Sequence, residues 1–151
     1  MLKYNLFQIE NLSKKILPQI SKSGAIFLFG ELGSGKTTFV RSCINLLQKN
    51  NKVPKTEVLS PTFSLLHEYQ IKSTKIMHYD LYRLNKQNDI DQLSIFEKID
   101  NHIIFIEWPE LIKKKVKDRL ELSFYYGAKE DLRKIKIKGF GKWKNFKINA
   151  I

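Results

Sequence analysis

A chain of 151 residues can build one full hydrophobic core but not two, so one domain over residues 1–151 is expected. No run approaches the length of a membrane span, and the first residues lack an apolar signal core, which argues against a membrane protein and for the cytoplasm. The lone cysteine, Cys43, excludes an internal disulfide and falls on the apolar stripe Phe39, Val40, Cys43, Leu47, where it reads as core filler.

The net charge of +12 is unevenly spread: residues 111–151 carry 13 basic and 4 acidic side chains (+9), residues 1–110 carry 14 and 11 (+3). A basic C-terminal part suggests a polyanion or an acidic protein surface as partner. Lysine outnumbers arginine 23 to 4, however, and readers of bases and phosphates favour arginine's fork. A solvated lysine surface with no partner therefore competes with direct nucleic-acid binding.

Residues 1–24 begin with Tyr4-Asn5-Leu6-Phe7 and continue as a helix with apolar positions Ile9, Leu12, Ile16 and Ile20, irregular near Pro18 and stopped by Gly24. Ala25 to Phe29 suit a strand buried on both faces. Gly30, Gly35, Lys36 and Thr37 then fill the pattern G-x-x-x-x-G-K-[ST]. Glycines let such a loop bend until its backbone N–H groups ring a phosphate, and the following helix aims its N-terminal donors at the same point. In that pattern the lysine reaches the β- and γ-phosphates and the threonine hydroxyl ligates Mg²⁺. The helix should run from about Lys36 to Gln48, closed by the polar run Lys49-Asn50-Asn51-Lys52 and Pro54.

Ser60-Pro61-Thr62 reads as a kinked loop leading into a strand, with the Thr62 hydroxyl where a nucleotide-sensing switch needs one; an ordinary loop fits the spacing equally well. Phe63–Tyr69 and Lys75–Tyr82 predict a hairpin. Within it, Asp80 is either a solvated edge residue or a carboxylate near the γ-phosphate, and the phosphate loop favours the second. His78 is a structural donor rather than a metal ligand, because no other His or Cys stands at ligand spacing. Residues 85–101 show helical spacing at Ile90, Leu93, Phe96 and Ile99. Asn85-Lys86-Gln87-Asn88 resembles half of a guanine-reading N-K-x-D element but lacks its aspartate, which disfavours GTP.

Ile103 to Ile106 followed by Glu107 describes a buried parallel strand with an acid at its C-terminal edge, where open α/β sheets bind ligands. Glu107 would hold Mg²⁺ through a water or orient the attacking water, with Trp108 beside the nucleotide. Arg119–Tyr126 and Arg133–Lys138 read as strands, the latter alternating lysine and isoleucine, and Trp143–Ile148 as a last short strand. The fold class is α/β: a P-loop NTPase-like domain with a mostly parallel central sheet, helices on both faces and a β-rich C-terminal part.

Four ordered motifs carry a resemblance: the phosphate loop, Ser60-Pro61-Thr62-Phe63, His78-Tyr79-Asp80-Leu81-Tyr82-Arg83 and Ile106-Glu107-Trp108-Pro109. Together they resemble the TsaE (YjeE) family of bacterial ATPases required for threonylcarbamoyladenosine in tRNA, over about residues 24–110. The resemblance implies binding of ATP and Mg²⁺ and work alongside TsaB and TsaD, whose complex performs the transfer on tRNAs reading codons that begin with adenine. It implies that Gly33, Ser34, Gly35, Lys36, Thr37 and Thr38 wrap the phosphates and that Thr37 and Glu107 serve the metal. It further implies that Thr62 belongs to a switch segment, that Asp80 is required for hydrolysis, and that Trp108 lies near the nucleotide. Arg133 is the candidate for the family's C-terminal arginine. The family's T-x-x-L-G in the first helix, which contributes to the adenine pocket, is replaced here by Ile9-x-x-Leu12-Ser13.

An arginine finger is worth about 10³–10⁵ in rate, and only Arg41, Arg83, Arg119 and Arg133 are available, none in a lid-like cluster. Slow hydrolysis alone and activation by a partner are therefore expected. A small-molecule kinase and a nucleotide-gated binding module share the phosphate loop and stand as alternatives.

Overall fold

Two short apolar runs, Ala25–Leu28 and Ile103–Ile106, have no exposed surface at all and form the middle of the molecule. The computed structural model describes every residue except 21–22, 98, 100–101, 114–115, 130 and 149–151, and at Leu6 the backbone alone. Seven strands, β1 (Leu2–Asn5), β2 (Gly24–Phe29), β3 (Leu66–Ile71), β4 (Thr74–Asp80), β5 (His102–Glu107), β6 (Arg119–Tyr126) and β7 (Leu132–Phe140), make one sheet in the order β1-β7-β6-β2-β5-β4-β3. β2 runs parallel to both β5 and β6, and β4 runs parallel to β5. The flanking pairs β1–β7, β6–β7 and β3–β4 are antiparallel. Parallel strands need cover on both faces, which is why the continuous apolar runs lie at the centre and the alternating Lys-Ile strand near an edge.

Among the described residues three α-helices accompany the sheet: α1 (Ile9–Ile20), α2 (Lys36–Asn50) and the short α3 (Gln87–Asp91). Leu12, Ile16 and Ile20 of α1 and Phe39, Val40 and Cys43 of α2 pack over Ile26, Leu28, Ile103, Phe105, Leu120 and Leu122. On the opposite face Ala25, Phe27, Met77, Tyr79, Ile104 and Ile106 lie beneath Ile90 and Ile95. The phosphate-loop segment leaves the C-terminal end of β2, with β5 and β4 ending beside it. That end of the parallel strands is where crevices open in sheets of this kind.

Several expectations need correction. The residues ahead of the expected helix form an unexpected strand, since Leu2–Asn5 pairs with β7 before α1 begins. The spacing over residues 85–101 yields only the five-residue α3, and Ser94 at φ 48° interrupts any continuation. Trp143–Ile148 is not a strand: Gly141–Trp143 forms a 3-10 turn that seats Trp143 against α1, its indole N–H donating to the Gln19 carbonyl at 3.2 Å. The hairpin is present, but it is tighter and later, with β3 starting at Leu66 and turning at Lys72-Ser73.

Candidate functional site

The loop between β2 and α2 is shaped by its glycines. Gly30 sits at φ 138°, and a Cβ there would fall 2.5 Å from the Phe124 carbonyl oxygen. Gly35, at φ 113°, precedes the first turn of α2 and leaves its N-terminal donors open. Lys36 folds back over the loop, its Nζ donating to the carbonyls of Gly30 at 2.6 Å and Glu31 at 2.9 Å and lying 4.0 Å above the Trp108 ring. Burial holds the Lys36 ammonium below the usual lysine pKa, and the charges of Glu107, Asp80 and Glu110 oppose that shift.

The acids arrive by strand periodicity. Alternation along β4 places Ile76, His78 and Asp80 on the α2 side, and along β5 it places Ile103, Phe105 and Glu107 there. Asp80 and Glu107 are register neighbours across the parallel pair. Glu107 accepts the Thr37 hydroxyl at 2.8 Å on Oε1 and 3.1 Å on Oε2, and its Oε1 also lies 2.9 Å from His78 Nε2. Asp80 Oδ2 accepts the hydroxyls of Ser60 at 2.5 Å and Thr62 at 2.7 Å, while Oδ1 accepts the Tyr82 N–H at 3.1 Å. Gly33, Gly35, Lys36, Thr37, Thr38, Thr62, Asp80, Glu107 and Trp108 thus line one cleft of about 200 Å³. Trp108 is turned into it by a left-handed backbone, φ 57°, and packs on Tyr82 at 4.8 Å between ring centroids.

The model for the threonylcarbamoyl adenosine biosynthesis protein TsaE matches residues 4–135. The chain belongs to the TsaE family. The TsaE protein of Rickettsia conorii is 37% identical over 106 residues, which are 70% of this chain and 58% of that protein. The TsaE protein of Aquifex aeolicus is 36% identical over 99 residues, 66% of this chain and 68% of the relative. The match spans less than two thirds of the Rickettsia conorii and Rickettsia felis proteins, 58% and 60% of their lengths. The crystal structure of YdiB from Bacillus subtilis superposes with a TM-score of 0.66 at 22% identity, over 95% of this chain and 88% of that one, a likeness of fold. The TsaE family serves threonylcarbamoyladenosine biosynthesis in tRNA.

In this TsaE-family chain two of the expected residues are not among those that line the cleft. Ser34 belongs to the loop, but its side chain is fully buried. Arg133 is buried in β7, with its guanidinium 4.8 Å from the Tyr126 ring centroid, and is not among the cleft-lining residues. The register explains this: Tyr4, Arg133 and Tyr126 sit side by side on β1, β7 and β6, on the outer flank of the phosphate loop. From that flank the Tyr126 hydroxyl donates to the Leu32 carbonyl of the loop. Thr38 also lines a second groove, of about 330 Å³, that runs past Arg41 and Asn45 towards Phe7.

Sequence reasoning missed three contacts: His78 on Glu107, Ser60 on Asp80 and Tyr126 on Leu32. The first had a signal, because His78 and Asp80 are two apart on a strand and so share a face with the acid that ends β5. The other two join segments remote in sequence, and no local pattern marks them.

Proposed function

We propose that this chain is a Mg²⁺-dependent ATP hydrolase that works in the cytoplasm with TsaB and TsaD. It would support turnover of that complex as it forms threonylcarbamoyladenosine on tRNAs reading codons that begin with adenine. The observation that carries the reading is the Thr37–Glu107 pair, which joins the end of the phosphate loop to the end of β5 beside Lys36. Mg²⁺ takes one or two carboxylates together with hydroxyl, phosphate and water oxygens, and this hydroxyl–carboxylate pair fits that donor set. When bound, the ion neutralises charge on the β- and γ-phosphate oxygens.

The chain's own residues then divide the work. The loop N–H groups from Gly33 to Thr38 hold the phosphates, and Lys36 exchanges the Gly30 and Glu31 carbonyls for phosphate oxygens. Thr37 and Glu107 hold the metal. Asp80, fixed by three donors, keeps Ser60 and Thr62 at the rim of the cleft, where a switch segment meets the γ-phosphate. Trp108 and Tyr82 wall the cleft against water. The groove beyond Thr38 accommodates ribose and base.

Each arginine is held outside the cleft. Arg41 donates to the Val58 carbonyl, Arg83 lies over Phe63, Arg119 pairs with Glu121, and Arg133 lies over Tyr126. This supports slow hydrolysis by the chain alone, with the missing positive charge supplied by a partner. Transfer RNA meets the chain through TsaB–TsaD or at the basic C-terminal part.

The test is phosphate release from ATP by the purified protein with and without TsaB and TsaD. A low rate that rises at least tenfold with the partners, needs Mg²⁺ and disappears in Lys36→Ala upholds the reading. A rate indifferent to the partners, with phosphate passing to a small acceptor, replaces it with a kinase.

A further inference from the structure

We infer that His78 is a positioning residue for Glu107: its Nε2–H fixes one carboxylate oxygen, so that the other is presented to the cleft. The inference rests on the proposed role of Glu107 in the Mg²⁺–ATP site. His78 is fully buried on β4, one residue pair behind Asp80, and its Nε2 lies 2.9 Å from Glu107 Oε1. Its Nδ1 is buried without a hydrogen-bond partner among the described residues. An imidazole with half its polar capacity unmet costs stability that an apolar side chain in the same strand would not. Among the described residues its one side-chain hydrogen bond is with the acid.

The donors on Glu107 explain what that interaction does. The single Thr37 hydroxyl proton is shared between both carboxylate oxygens, at 2.8 and 3.1 Å. A threonine hydroxyl that turns to a metal gives up both contacts at once. His78 is then the donor left on Oε1, and it holds the carboxylate plane while Oε2 remains free towards the cleft. Glu107 is 2% exposed, so water does not take over the task. The geometry sets the direction of the bond: a carboxylate oxygen facing Nε2 can only accept, so Nε2 carries the proton. The arrangement is that of a ligand held by an outer partner, whose loss costs about 10–100-fold in metal affinity or activity. Among the described residues His78 shares no hydrogen bond with Lys36 or the loop amides, so its removal should spare binding of the phosphates.

Four measurements test this. In the nucleotide-free protein, imidazole ¹⁵N spectra should show Nε2 protonated; an unprotonated Nε2 overturns the inference. His78→Phe should lower kcat for ATP hydrolysis about 10–100-fold and raise the Mg²⁺ concentration needed for half-maximal rate, with KM for ATP within about threefold of the parent. His78→Gln, which can restore a donor at nearly the same reach, should recover kcat to within about fivefold. Imposed on Glu107→Ala, His78→Phe should cause no further loss, because the imidazole acts through that acid.

A His78→Phe protein with parental kcat, or equal losses in His78→Phe and His78→Gln, overturns the inference. Should His78→Phe fail to fold, His78→Gln decides: kcat within fivefold of the parent upholds it, and a loss as deep as that of Glu107→Ala overturns it. If the parent protein hydrolyses no ATP under any condition, the functional reading fails, whereas the nitrogen spectra still report whether His78 holds the acid.

Discussion

Asp80→Ala should undock the segment around Ser60–Leu65 without unfolding the sheet. Asp80 is 3% exposed and accepts three donors, from Ser60, Thr62 and the Tyr82 backbone. Hydrogen bonds to a charged group contribute about 1.5–3 kcal/mol each, a gross total of about 5–9 kcal/mol. Ser60 and Thr62 are half-buried and 2.9 Å apart, so after the loss they turn to each other and to water. We therefore expect about 2–4 kcal/mol to be lost from docking of the segment. Leu65 is the reporter. It is held at φ 64°, its N–H donates to the Pro61 carbonyl at 2.6 Å, and its own carbonyl accepts the Asp80 N–H at 3.1 Å. A non-glycine residue keeps that conformation only while its surroundings impose it. At about 1.4 kcal/mol per tenfold, amide exchange at Leu65 should quicken by about 30- to 1,000-fold, read by hydrogen exchange with NMR detection. Amides of Ile104 and Phe105 in the central strand should keep their parental rates. Leu65 exchange within threefold of the parent, in a folded protein, would refute the claim that Asp80 holds the segment.

Gly30→Ala sets a Cβ 2.5 Å from the Phe124 carbonyl oxygen at φ 138°, and calorimetry should show Tm lower by about 5–15 °C; an unchanged Tm would contradict the packing. Tyr126→Phe removes the donor to the Leu32 carbonyl and should weaken ATP binding about two- to fivefold, followed by Trp108 fluorescence, with Tm unchanged. Cys43 is fully buried, and burial pushes its thiol up to about 12, so Ellman's reagent at pH 8 should leave the native protein untouched and label one thiol in guanidinium. Folding raises this pKa from 9.0, so the unfolded chain ionises first and Cys43 makes stability fall as pH climbs from 9 towards 12. Stability that rises over that interval in the parent relative to Cys43→Ala would contradict the sign.

Much of the site was legible because it is local in sequence. The phosphate loop lies within nine residues, and the apolar run before Glu107 carries both the strand and the acid at its end. Strand alternation then brings Asp80 and Glu107 to one face without further information. The place of Arg133 was not legible, because it depends on the pairing of β7 with β1 and β6. A strand as short as Leu2–Asn5, with no turn signal, gives no hint that it closes that edge. The stretch after α3 failed for another reason. Ile90 and Ile95 are buried five residues apart, a spacing produced by turns rather than by the helix that Ile90, Leu93 and Phe96 suggest. The indole of Trp143 looked like part of a strand, but it is drawn down onto α1 by the turn at Gly141.

The most direct measurement is the number of threonylcarbamoyladenosine modifications formed per TsaB–TsaD complex on tRNA, with this protein or its Glu107→Gln variant supplied in each reaction. The account predicts many rounds with the parent protein and arrest near a single round with Glu107→Gln, although the variant still binds ATP. As many rounds with Glu107→Gln as with the parent would contradict it, leaving a nucleotide-gated binding module in place of an ATPase.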